Sequence, residues 1–254
     1  MKRLRSSSGI GIIAVAFVCA LAGNASALPI GWTCTGACGT AGANGVVATP
    51  PLGGNYEYVT TNGGVGLGSR DLNIGQETNG SILRTNLFAS AAGDSLEFDF
   101  DYVTSDGQQY VEYAWAQLFD ESDTSVALLF TARTTTSGNT VPGFGLPPIT
   151  ATMTPPSTPI LKGTTWAALG GSSGSCYGAG CGNTGWIHST YAIPTAGKYY
   201  IEFGVVNWLD QAYQSGMAIS GTTIAGEPIT QTPEPTTLAI FGLGLAVVAR
   251  RFRR

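Results

Sequence analysis

Leu96-Glu97-Phe98-Asp99-Phe100-Asp101-Tyr102 alternates apolar and acidic residues without a break. A β-strand sends successive side chains to opposite faces. This period of two therefore puts Leu96, Phe98, Phe100 and Tyr102 on a core face and Glu97, Asp99 and Asp101 outside. Residues 198–207 repeat the pattern, with Tyr199, Ile201, Phe203 and Val205 on one face. Helical periodicity is nearly absent elsewhere. Short β-type runs at 56–60, 82–89, 95–104, 110–119, 125–132, 164–169, 198–207 and 217–224 are separated by Gly, Asn, Ser and Pro. Such a series predicts an all-β antiparallel sandwich. Asp106-Gly107 reads as a turn, so 95–119 is expected to be a hairpin. Residues 134–159, rich in Thr, Pro and Gly, and 170–185, rich in Gly and Ser, are expected as surface loops.

The two ends carry addresses. Lys2, Arg3 and Arg5 precede an apolar run at 10–21, and Ala25-Ser26-Ala27 is a small-x-small site. That order predicts a signal peptide at 1–27, cut by signal peptidase after Ala27. Cys19 lies within the apolar run without a convincing lipobox before it, so no lipoprotein is expected. At the other end, Pro233-Glu234-Pro235 is followed by an apolar run at 238–249 and by Arg250, Arg251, Arg253 and Arg254. A spanning helix needs about 20 residues, and the run approaches that length only if it extends over 236–252 with snorkelling arginines. The arginines favour a cytoplasmic C-terminus. This order of Pro-Glu-Pro, apolar segment and arginines resembles the PEP-CTERM tail of exported bacterial proteins. Thr236-Thr237 stands where Ser-Thr is common. The resemblance implies a Gram-negative cell that makes extracellular polysaccharide, and an exosortase-type transpeptidase that cuts near Pro233-Glu234-Pro235. It also implies transient anchoring in the membrane through the C-terminal helix, then the cell surface or extracellular matrix.

Between the ends, 28–232 is one domain with no internal repeat, large enough for a real core. It keeps only five cations (Arg70, Arg84, Arg133, Lys162 and Lys198) against 15 carboxylates, a net charge of about −10. A nucleic-acid partner is not expected, because phosphate binding needs a basic face. Four cysteines remain. In an oxidising compartment Cys34, Cys38, Cys176 and Cys181 predict disulfides. Two local loops, Cys34–Cys38 and Cys176–Cys181, are preferred because glycines let them close, and a cross-pairing stays open. A zinc site fits the spacing poorly.

The run Gly80-Ser81-Ile82-Leu83-Arg84-Thr85 and the stretches 92–100, 196–207 and 215–221 resemble jelly-roll ectodomains that often precede this tail. In many relatives the loop before the last strand is rich in aspartate, whereas here it holds Asp210, Gln211 and Gln214.

Enzyme chemistry is hard to assemble from this chain. His188 is the only histidine and no G-x-S-x-G elbow exists, so no catalytic residue is assigned. Carboxylates two apart on a strand, such as Asp99 and Asp101, match an inverting glycosidase in spacing, but any acidic strand face does so. No cofactor is assigned. Asp94, Asp99, Asp101, Asp106, Asp120, Glu121 and Asp123 would offer oxygens to a structural calcium ion, although no calcium-loop motif is present. Sugar sites pair exposed rings with hydrogen-bonding side chains. Trp186, Trp208, Asp210 and Tyr213 are the candidates for glycan contact, with Trp32 and Tyr177 as further loop rings. The reading is an exported, surface-sorted structural or matrix-adhesion protein, not an enzyme. The alternative is a lectin-like module on extracellular polysaccharide, and glycoside hydrolysis and ice binding are distant ones.

Overall fold

The computed structural model describes residues 27–229. Residues 1–26 of the expected signal peptide, including Ala25 of its expected cleavage site, lie outside the described residues. So do the apolar tail and the sorting residues Pro233, Glu234, Pro235, Arg250, Arg251, Arg253 and Arg254.

The described chain is all-β. Its strands are β1 (Thr33–Thr35), β2 (Ala37–Ala41), β3 (Tyr56–Thr60), β4 (Glu77–Arg84), β5 (Phe88–Ser90), β6 (Ser95–Thr104) and β7 (Tyr113–Asp120). They continue as β8 (Ser125–Arg133), β9 (Thr152–Thr154), β10 (Gly182–Asn183), β11 (Ile187–Ala192), β12 (Gly197–Trp208), β13 (Ser215–Ile224) and β14 (Glu227–Pro228). One sheet runs β1-β4-β12-β7-β8, with β5 on β12. The other runs β2-β3-β13-β6-β11-β9, with β10 on β6 and β14 on β13. Every pairing is antiparallel.

The main core lies between the sheets. Leu96, Phe98, Phe100 and Tyr102 of β6 meet Tyr199, Ile201, Phe203 and Val205 of β12, as the alternation predicts. Phe100 stacks on Phe130 with centroids 3.9 Å apart. Trp32 closes the core against Phe203, and its indole N–H donates to the Ile229 carbonyl. Among the described residues, Leu28 also packs against this core from the N-terminal side.

Both outer faces are partly roofed. Over the eight-stranded sheet, Val47, Trp166 and Leu169 pack on Tyr56, Val103 and Ala218. Over the six-stranded sheet, Leu67 packs with Ile82, Tyr113, Trp115, Leu128 and Val206. The Trp115 indole lies across Gly204, where a Cβ would come 2.2 Å from Cζ2, so this strand position accepts no side chain.

The roof corrects the expectation that Asp99 and Asp101 face solvent. Both are buried, Asp101 completely. The period of two places them on the outer face correctly, but segments distant in sequence cover that face. The expected 95–119 hairpin is also corrected. β6 and β7 lie in different sheets, so residues 105–112 cross the sandwich instead of reversing within one sheet. Residues 164–169 are not a strand: Trp166 is extended and a 3-10 turn, Ala167–Ser172, follows. Trp166 is held by its indole N–H, which donates to the Tyr56 hydroxyl at 2.9 Å. The expected 82–89 run is split between β4 and β5. The two local disulfides, Cys34–Cys38 and Cys176–Cys181, are those preferred from the spacing.

Candidate functional site

The rings singled out from sequence do not form one surface. Trp186 belongs to the roof of the eight-stranded sheet, edge-on to Tyr56, with its indole N–H donating to the Ala48 carbonyl. Trp208 packs on Tyr113 of the other sheet's outer face, with the Arg133 guanidinium 4.7 Å from its ring centre. Trp32 is buried. Tyr213 is exposed and lies 5.0 Å from Tyr177, which in turn meets Tyr110 at 5.5 Å. Asp210 is a turn-former, its Oδ1 accepting the Ala212 N–H at 2.8 Å.

The acidic residues disperse as well. Asp94 accepts the Ala91 N–H and caps one turn, and Asp120 accepts from Ser122 and Thr124 and caps another. Asp99 pairs with His188, Nδ1 to Oδ1 at 2.9 Å, and Glu97 lies 3.8 Å from the other ring nitrogen. Asp101 accepts from Thr184 beneath the roof. The consecutive strand positions Glu97, Asp99 and Asp101 thus have three different environments.

The most complete array of polar and aromatic side chains is one the sequence reading did not assemble. On the unroofed part of the six-stranded sheet, β4, β12 and β7 present Arg84, Tyr200, Glu202, Gln117 and Phe119 side by side. Their strand parity explains why. Tyr199 and Ile201 point into the core, so Tyr200 and Glu202 must point out. The loop before β4 adds Arg70 and Asp71, and the β7–β8 turn adds Asp123. Together they line an open groove of about 400 Å³.

Its parts are fixed by one another. Tyr200 and Phe119 stack, with ring centroids 5.2 Å apart and planes nearly parallel at 9°. The Arg84 guanidinium sits 3.5 Å from the Tyr200 ring centre. The Tyr200 hydroxyl donates to Asp123 Oδ1 at 2.7 Å, and Arg84 reaches the same oxygen at 3.5 Å. Arg70 pairs with Glu202 at 2.9 Å and also donates to Thr35 Oγ1. Burial, then the bond to Asp123, raise the proton affinity of Tyr200, so its hydroxyl stays a donor at neutral pH. Burial, opposed by the Asn73 N–H, also raises that of Asp71.

The balance of charge decides what such a groove suits. Two guanidinium groups face three carboxylates, those of Asp71, Asp123 and Glu202. A polyanion would meet a carboxylate beside each arginine. A neutral, hydroxyl-rich surface finds planar donors and acceptors next to an aromatic edge. A larger hollow of about 540 Å³ lies between 160–165 and 174–181, but Lys162 is its one charged lining residue and four of the twelve are glycines. It offers few side-chain groups to orient a ligand.

Residues 231–254 match the PEP-CTERM protein-sorting motif. The chain is thus an exported protein with a membrane-anchored sorting signal behind a β-sandwich, and the motif is consistent with processing by an exosortase-type enzyme. No curated protein matches the chain. Among solved structures it is similar to the enzymatically active domain of tailspike protein 4 of bacteriophage CBA120. The identity is 11%, the TM-score is 0.35, and the match covers 76% of this chain and 19% of the tailspike. It is also similar to the K1 cleaved adhesin domain of Lys-gingipain from Porphyromonas gingivalis, with 14% identity and a TM-score of 0.33, over 78% of this chain and 95% of that domain.

Proposed function

We propose that this is a non-enzymatic matrix-adhesion protein: a jelly-roll-like ectodomain, delivered to the cell surface or extracellular matrix by its sorting tail, that holds neutral polysaccharide in the Arg84–Tyr200 groove. The supporting observation is the groove itself, which gathers two of the ectodomain's five cations, Arg84 against the Tyr200 ring and Arg70 against Glu202. Vicinal hydroxyls match the forked geometry of guanidinium and carboxylate groups, and a sugar's apolar face covers part of a ring. The near-cancelling charges make binding depend on shape and hydrogen bonding more than on net attraction. In this reading the ectodomain of residues 28–232 is the adhesive unit, and residues 1–27 and 233–254 serve delivery.

The test is a binding isotherm of the purified ectodomain against neutral and anionic polysaccharides from bacterial matrices. Saturable binding to a neutral polymer, weakened at least tenfold by Arg84→Ala with the melting temperature retained, supports the groove. Arg70→Ala is the second variant, because its side chain is half-exposed and its removal spares the core. Binding that is indifferent to both substitutions, or confined to polyanions, overturns the reading.

A further inference from the structure

The crossover from β6 to β7 begins at Asp106 and ends at Glu112, and both residues are fully enclosed at one end of the sandwich. Parity explains Glu112. Ala114, two positions on, faces the core, so Glu112 does too, and it meets the opposite sheet. Its Oε2 lies 3.0 Å from Thr104 Oγ1 and 2.8 Å from Ser215 Oγ. Asp106 Oδ1 accepts the Gly107 N–H at 2.7 Å. The remaining oxygens, Glu112 Oε1 and Asp106 Oδ2, are buried and without a hydrogen-bond donor.

A third orphan oxygen belongs to Asn207. The register of β12 on β7 runs to Val206↔Tyr113, and carried one residue further it brings Asn207 level with Glu112. Val205 faces the core, and so therefore does Asn207, which is completely buried. Neighbouring amides fix its orientation. Asn79 donates its amide N–H groups to the Thr61 and Gly64 carbonyls, leaving its oxygen to accept from Asn207 Nδ2 at 3.0 Å. Gln214 donates to the Gln211 carbonyl, and its oxygen accepts from Thr61 and from Asn207 Nδ2. The Asn207 amide nitrogen is thus committed to one side, and its Oδ1 is left with no donor.

Buried carboxylates are ordinarily paired with cations. Among the described residues, the Lys, Arg and His ion pairs involve Glu202, Asp123, Glu97, Asp99 and Glu121, and none reaches Asp106 or Glu112. Asp106 and Glu112 lie within hydrogen-bond reach of each other with no cation beside them, and Asn207 Oδ1 has no donor. A proton shared between the two carboxyls would leave Asn207 Oδ1 unsatisfied, whereas a hard divalent cation takes carboxylate and carboxamide oxygens together.

We propose that Asp106, Glu112 and Asn207 hold a calcium ion that ties the two ends of the β6–β7 crossover to β12. No third carboxylate, imidazole or thiolate joins the group among the described residues, so water and backbone oxygens would complete the shell. The crossover also carries Tyr110, so the ion would steady the Tyr110–Tyr177–Tyr213 row at this end. The inference is independent of what the groove binds.

The test is thermal unfolding and elemental analysis of the ectodomain at pH 7.5, first stripped with chelator and then supplied with calcium. One calcium per chain is expected, with a rise of about 5–10 °C in melting temperature at about 100 times the Kd. Glu112→Gln should abolish the calcium-dependent rise. Asp123→Asn, on the far turn, should leave the rise intact. The proposal is overturned if the wild-type protein retains no calcium and melts alike in chelator and calcium. It is equally overturned if the rise survives both Glu112→Gln and Asp106→Asn.

Discussion

Replacing Asp101 by asparagine should make stability less dependent on pH, with a gain in mildly alkaline buffer. The Asp101 carboxyl is fully buried under the roof of the eight-stranded sheet. One oxygen accepts from Thr184 and the other has no donor. Burial pushes its pKa from 3.8 up to about 7, against a partial opposing effect of the bonds from Thr184 and Gly185. In the unfolded chain it returns to about 3.9. The folded state therefore binds this proton more tightly. The stabilisation is fully present below about pH 4 and is lost as pH rises towards 7. About three pKa units correspond to about 4 kcal/mol at most, since each unit is about 1.4 kcal/mol. Asparagine keeps the acceptor for Thr184 and cannot ionise, although its amide N–H group, if unpaired, costs about 1–3 kcal/mol at every pH. The difference in unfolding free energy, variant minus wild type, should thus climb by up to about 4 kcal/mol between pH 4 and pH 8.5 and change sign on the way. Urea unfolding of both proteins across that range, in chelator, measures it. Asp106 and Glu112 are present in both proteins and cancel. A difference that stays constant with pH would refute the argument.

Three further outcomes follow from the packing. Trp186→Ala should lower stability by about 2–3 kcal/mol, less than for a fully buried tryptophan, and leave polysaccharide affinity unchanged, because the ring supports Tyr56 and the Ala48 carbonyl; paired melting and binding curves check this. Gly204→Ala should cost about 1–3 kcal/mol in denaturant unfolding, because the new methyl group enters the Trp115 ring. Removing the Cys34–Cys38 bridge by paired serine substitutions should cost about 2 kcal/mol from the freed short loop, read as a lower urea midpoint.

What the chain's spacing reveals, and what it hides, follows from how far each feature reaches. β3 and β6 have the bounds expected from alternation and flanking turn residues, because both signals are local. The crossover after β6 is hidden because Asp106-Gly107 reverses a chain equally well within a sheet or between sheets. The roof over this face, where Val47, Trp166 and Leu169 pack on Val103 and on Ala218 opposite Asp101, comes from more than 50 residues away in either direction, and no local pattern announces it. The groove was half legible. Once Tyr199 and Ile201 are placed inward, Tyr200 and Glu202 must share the outer face, and Arg70 and Arg84 are conspicuous in so acidic a domain. What could not be read is the register that sets Glu202 beside Arg84 and Phe119 beside Tyr200, since pairing between strands so distant in sequence is a property of the assembled sheet. The same parity argument reaches Glu112 and Asn207. Each continues the inward positions of its strand past the last apolar residue, to where the core ends and a polar plug begins. That inward placement is something the run of acids from Asp94 to Asp123, counted along the chain, could not supply.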